Sequence, residues 1–169
     1  MAAQTLILDH VAIGCATLAE GAAYIRGKLG VDVPVGGRHE RMGTHNLLMR
    51  IGDKVYLELI AIDPEAPMPG QPRWFALDDP AQQAHLRERP RPIAWIAGTG
   101  DIAAVLAASP VDLGRAVDMS RGELRWRISL RDDGALPEAG ALPILIEWAQ
   151  GRIPVPAWPI SACGWSACA

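Results

Sequence analysis

His10, Glu58 and Glu147 each interrupt a short apolar run: Leu6-Ile7-Leu8-Asp9-His10-Val11-Ala12-Ile13, Val55-Tyr56-Leu57-Glu58-Leu59-Ile60 and Ile144-Leu145-Ile146-Glu147-Trp148. An ionisable group inside a hydrophobic strand is costly unless a metal, a charge partner or hydrogen bonds compensate it. One imidazole and two carboxylates on three strands supply N and O ligands of the kind a divalent ion takes. The same groups also fit a metal-free arrangement, with His10 donating to a backbone carbonyl and Glu58 paired with Arg125 or Arg127.

The elements that must position these residues read as a repeat. Residues 6–13 form a first strand ending at Gly14, and Thr17 caps an Ala-rich helix from Leu18 to Lys28 that Gly30 stops. Val31 to Val35 begins a second strand before a bend at Gly36-Gly37. Thr44 to Ile51 and Lys54 to Ile60 follow as a hairpin turning at Gly52-Asp53. A proline-rich connector, 63–90, carries a short helix opening at Pro80, and Trp74 and Phe75 anchor it to the core. The order then returns: a strand over Pro92–Gly98, a helix Ile102–Ala108 capped by Asp101, and strands Gly114–Met119, Glu123–Leu130 and Ile144–Ala149. Overlaying His10–Gly14 on Ala94–Gly98 also brings Glu58 onto Glu147. This points to a duplicated βαβββ unit spanning 5–62 and 91–150 within one domain, followed by a tail, 151–169.

Alternation along each strand assigns faces. His10 shares a face with Leu8 and Ala12, Glu58 with Tyr56 and Ile60, and Glu147 with Leu145 and Ala149. In the second hairpin Arg125, Arg127 and Ser129 oppose Leu124, Trp126, Ile128 and Leu130. The apolar set is expected under the helix, which turns the arginines toward the cavity; Asn46 and Leu48 correspond to Arg125 and Arg127 by the repeat. His39 and His45 flank a glycine turn beside the expected pocket and are candidate acid–base or substrate-binding groups. Trp95, Trp126 and Trp148 are read as core, His85 as solvated, and Arg121 and Arg131 as surface charges.

With 169 residues, half of them hydrophobic, and a net charge of −3, the chain can bury a proper core. It offers no general attraction to nucleic acid or anionic membranes. No apolar run is long enough to span a bilayer, and the N-terminus lacks a signal-peptide pattern, so a cytoplasmic location is expected. The three cysteines, Cys15, Cys163 and Cys168, have no CxxC spacing and form no disulfide framework.

The runs Gly36-Gly37-Arg38-His39, Gly43-Thr44-His45-Asn46, Tyr56–Ile60 and Leu142–Trp148, in two βαβββ units, resemble the glyoxalase-like branch of the vicinal oxygen chelate superfamily. The resemblance covers residues 5 to about 150. It implies an α+β fold in which two tandem modules form paired curved mixed sheets around a cavity, as in glyoxalase and dihydroxybiphenyl dioxygenase. It also implies a metal held by the first and last strands of each module, at His10, Glu58, Ala94 and Glu147. Ala94 has no donor atom, which leaves His10, Glu58 and Glu147 for one ion of Zn, Mn, Fe or Ni. The activity implied is a metal-dependent lyase, isomerase or dioxygenase acting on a small oxygen-rich or anionic metabolite. Asn46, Arg125 and Arg127 would orient the substrate, and Glu58 or Glu147 would act as base. The alternative is a metal-free small-molecule binding protein on the same fold, which Ala94 favours; a homodimer is the assembly of a third reading, an interaction module.

Overall fold

The structure, a computed structural model, describes residues 5–149. The expected tail, with Cys163 and Cys168, lies outside them. The strands are β1 (Ile7–Gly14), β2 (Val35–His39), β3 (Thr44–Arg50), β4 (Tyr56–Ile62), β5 (Arg91–Gly98), β6 (Arg115–Arg121), β7 (Leu124–Leu130) and β8 (Ile144–Trp148). The helices are α1 (Leu18–Leu29), α2 (Pro80–Glu88) and α3 (Ile102–Ala108), with a short 3-10 turn at Glu40–Met42 and another at Pro137–Gly140.

All eight strands join one sheet in the order β2-β3-β4-β1-β5-β8-β7-β6. Each half repeats the same path. β1 runs parallel to β4 and β5 parallel to β8, while β1 and β5 meet antiparallel at the centre. The curl brings the two edges together, and Arg41 on the β2 side donates to the Asp118 carbonyl of β6 at 3.1 Å. The result is a nearly closed wall with an inner and an outer face, the mixed α+β architecture expected.

Apolar alternation fills both faces. Outside the first half, Ile25 of α1 packs with Cys15, Leu47, Met49 and Leu59. Gly21 permits that contact, since a Cβ there would sit 2.8 Å from the Cys15 sulfur. Thr17 accepts from the Glu20 N–H at the start of α1, and Gly30 ends the helix at φ 69°. Outside the second half, Ile102 of α3 packs with Ala97, Leu113 and Leu145. The inner face holds Ala12, Ile60, Ala94, Ile96, Val117, Met119, Trp126, Ile128, Ile144 and Ile146. Trp74 and Phe75 of the connector join this inner core, with Phe75 and Ala76 at φ 59° and 54°.

The second strand differs from the expectation, beginning at Val35 rather than Val31. Its ladder with β3 slips between Val35 and Gly37. Gly36 lies at this slip because a Cβ there would fall 2.2 Å from the Asn46 side-chain oxygen. The expected bend is therefore inside the strand.

Two further bulges flank the central joint. On β1, Leu8 faces Ala97 and His10 faces Ile96, which leaves Asp9 as an extra residue. On β5, Ala94 faces Ala12 and Pro92 faces Ile13, which leaves Ile93 extra. Each bulged side chain lies against the terminal glycine of the opposite strand, Asp9 by Gly98 and Ile93 by Gly14. Among the described residues no helix is long and apolar enough to cross a membrane.

Candidate active site

β1 and β4 bring His10 and Glu58 together on the inner face, with His10 Nε2 3.5 Å from Glu58 Oε2. The Asp9 bulge turns a second carboxylate to the same imidazole: Asp9 Oδ1 lies 2.6 Å from His10 Nδ1. Trp148 Nε1 donates to the other Asp9 oxygen at 2.9 Å. The Tyr56 ring stacks on His10 with centroids 4.4 Å apart. His10 thus bridges two buried carboxylates.

Asn46, on β3, holds Glu58 from the other side, its amide N–H donating to Glu58 Oε1 at 2.5 Å. The same amide nitrogen lies 3.4 Å from His39 Nε2, and His39 Nδ1 lies 3.1 Å from the Thr44 hydroxyl. Arg121 of β6 donates to the Asn46 side-chain oxygen at 3.2 Å. A continuous polar line therefore runs Arg121, Asn46, Glu58, His10, Asp9, Trp148 through an otherwise apolar interior.

Burial alone would neutralise His10, but the hydrogen bonds and charges of Asp9 and Glu58 overcome it and raise its pKa to about 9. Burial would likewise raise Glu58, yet His10 and Asn46 hold it at about 2. At neutral pH the pair is imidazolium and carboxylate. His39 behaves oppositely: burial lowers its pKa to about 4, so it is neutral and can accept from Asn46. Burial and the nearby Asp9 and Glu58 carboxylates push the Tyr56 hydroxyl well above its ordinary value.

His10, His39, Asn46, Glu58, Trp74 and Arg121 line one cavity of about 40 Å³. One water needs roughly 10–15 Å³ of such space, so the cavity suits a few waters or a group of a few heavy atoms. The Trp74 indole N–H is buried without an acceptor among the described residues.

The other expected site residues lie elsewhere. Glu147 projects from the outer face of β8, where both its oxygens lie 2.7 Å from an Arg127 nitrogen and one accepts from the Ile102 N–H of α3 at 2.7 Å. The register explains the reversal. Ala12 faces Glu58 on β4, and its counterpart Ile96 faces Ile144 on β8. Glu147 is three residues beyond Ile144, and an odd offset turns a side chain to the opposite face. Arg127 is outside with it, and Arg125 is exposed, donating to the Gly122 and Leu124 carbonyls. Trp126 and Ile128 take the inner face instead. His45 falls on the outer face with Leu47 and Met49, 4.0 Å from Asp63.

Two site residues escaped the sequence reading. Asp9 sits in the same apolar run as His10, and the cost of burying it was the available signal; strict alternation hid it because the bulge is invisible in the sequence. Arg121 continues the inner row Val117, Met119 of β6, so its face was readable from that alternation.

The donors fall short of a resident metal site. His10 Nε2 and Glu58 Oε2 are spaced as two adjacent ligands could be, and Asp9 is the outer partner such a histidine commonly has. The second half contributes Ala94, Ile144 and Ile146 to this face, none with a donor, and Glu147 is outside. Among the described residues no cluster of three His, Cys, Asp or Glu side chains could hold an ion. His10, Glu58 and Glu147 therefore do not form the three-ligand set the sequence implied.

Comparison with known proteins agrees with the fold. A hypothetical protein from Staphylococcus aureus superposes with a TM-score of 0.61 at 20% identity, covering 86% of this chain and 59% of that one. This chain thus spans less than two thirds of that relative. A Streptomyces coelicolor methylmalonyl-CoA epimerase variant in complex with 2-nitronate-propionyl-CoA gives 0.54 at 21% identity, covering 88% of this chain and 99% of the other. The methylmalonyl-CoA epimerase from Mycobacterium tuberculosis gives 0.53 at 18%, covering 88% and 91%. Among curated protein sequences nothing matches. The sequence profile of the glyoxalase-like domain matches residues 8–164, most of the chain, and establishes that the chain belongs to the glyoxalase-like domain family.

Proposed function

We propose that this protein is a glyoxalase-like enzyme that moves a proton beside the carbonyl group of a small, oxygen-rich metabolite, using its own side chains. The observation that carries this reading is the Asp9–His10–Glu58 bridge beside the cavity. A buried imidazolium is a ready donor to a developing oxyanion, and a water-poor site strengthens that contact. A carbonyl oxygen that takes the His10 Nε2–H removes the contact holding Glu58 in its weakly basic state. Burial then raises the carboxylate toward a useful base. Glu58 accepts the carbon-bound proton, the C–H electron pair forms the C=C bond, and the carbonyl π pair moves to oxygen beside His10. Return of a proton from Glu58 to carbon closes the cycle.

The test is exchange of carbon-bound protons of methylglyoxal, hydroxyacetone and pyruvate with D2O, followed by proton NMR. The expected result is exchange of at least one compound, reduced about 100-fold or more in Glu58→Gln and unaffected by a chelator. Exchange that disappears with the chelator and returns with a divalent ion would restore the metal reading. A second reading, sequestration of a small molecule without turnover, draws on Ala94, which has no metal-ligating atom at the position matching His10. Binding of one of these compounds with no exchange above the solvent rate selects it.

A further inference from the structure

We infer that Arg121 is the substrate-recognition residue of this site and that the group it receives is the carboxylate of a small acid, a refinement that rests on the reading above. Arg121 lines the cavity, yet among the described residues no carboxylate lies within ion-pair distance of it. Arg73 pairs with Asp78, Arg127 with Glu147, and Arg131 with Asp112 and Asp133, whereas Arg91, half-buried and likewise without a carboxylate among the described residues, does not line this cavity. Of its five N–H groups, Arg121 commits one, to Asn46. Glu58 cannot serve as its partner because the Asn46 amide lies between them, bonded to both. A planar guanidinium with spare donors beside a cavity matches a bidentate carboxylate. Trp74, another residue lining the cavity, has a buried indole N–H without an acceptor among the described residues, a donor that an acid oxygen within reach would relieve.

The backbone is shaped to let this arginine in. β6 and β2 are the two edges of the sheet and carry no ladder between them, so a side chain can cross the seam. At Gly37 a Cβ would lie 2.9 Å from Arg121 Cδ and 3.3 Å from its Nε, so the glycine is where the arginine passes. The cavity volume limits the acid to a short stem, with its carbon next to the carboxylate carried toward His10 and Glu58.

Titration with sodium pyruvate, its neutral analogue pyruvamide and inorganic phosphate, read by tryptophan fluorescence, tests the assignment. Pyruvate is expected to bind at least about tenfold more tightly than pyruvamide. Arg121→Gln should weaken pyruvate about tenfold or more and leave pyruvamide unchanged. Arg121→Lys, which keeps the charge but not the fork, should fall between. Gly37→Ala should weaken pyruvate through displacement of the arginine, with Arg121 itself intact. Pyruvate binding that is absent in the parent protein, equal for the amide, unchanged in Arg121→Gln, or surpassed by phosphate overturns the inference. Its fate is separable from that of the proton-transfer reading: Arg121-dependent binding without D2O exchange rejects the chemistry alone, whereas Glu58-dependent exchange indifferent to Arg121 rejects the recognition alone.

Discussion

Three histidines in the first half of the sheet meet three different fates because their partners differ. His10 is charged between Asp9 and Glu58, His39 is neutral against Trp74 and Asn46, and His45 sits on the outer face near Asp63. Linkage converts the first two into a pH profile. His39 resists protonation in the folded state until about pH 4, whereas the unfolded chain takes the proton near 6.5. Stability therefore falls as pH drops from 6.5 toward 4. His10 holds its proton up to about pH 9, so its contribution is complete below 6.5 and is lost as pH rises through 9. The Glu58 contribution is present above 4.5 and disappears only as pH falls toward 2. Urea unfolding across this range should give a maximum near 6.5, and His39→Asn should flatten the limb between 6.5 and 4 while leaving the alkaline limb.

Among the elements, β8 carries the sharpest lesson. Four of its five residues are apolar, and the strand is covered on one side by α3 and on the other by the inner core, so neither face declares itself. The Glu147 carboxylate instead helps complete the first turn of α3, alongside Asp101, which accepts from the Ala104 N–H at 3.0 Å. Glu147→Ala should cost about 1 kcal/mol of stability by thermal unfolding, without the loss of proton exchange expected of Glu58→Gln. In β7 the split between Arg125, Arg127, Ser129 and Leu124, Trp126, Ile128, Leu130 was legible, but which set faces inward was not. The inner wall is itself a hydrophobic core there, so the apolar set satisfied either assignment. By contrast β1, α1, β3, β4 and α3 were legible to within a few residues, since capping residues, glycine stops and turn glycines marked their ends. His10 and Glu58 were legible as neighbours on the inner face because each is polar in an apolar run, whereas Asn46 was reached only through its correspondence to Arg125, which itself lies outside. Asp9 was lost to a bulge and Arg121 to a contact across a seam distant in sequence.

At the scale of the whole molecule, the interior is divided between the two halves. The first supplies the histidines and carboxylates, and the second supplies packing, the Trp148 N–H and, across the seam, the Arg121 guanidinium. The paired bulges at Asp9 and Ile93 have a consequence for how such a division arises. They are the same socket made twice by an approximate twofold axis through the β1–β5 joint, each closed by the glycine of the opposite strand. One copy holds a carboxylate and the other a hydrocarbon, so the backbone tolerates either while the symmetry of the frame persists. Asp9→Ile should accordingly fold, losing about 3–5 kcal/mol because both the His10 Nδ1–H and the Trp148 N–H lose their acceptor, as chemical unfolding would measure. With it would go one of the two carboxylates that keep His10 charged, leaving Glu58 alone to do so. A single substitution at a symmetric position can thus exchange the polar socket for the hydrocarbon one that its twin already holds.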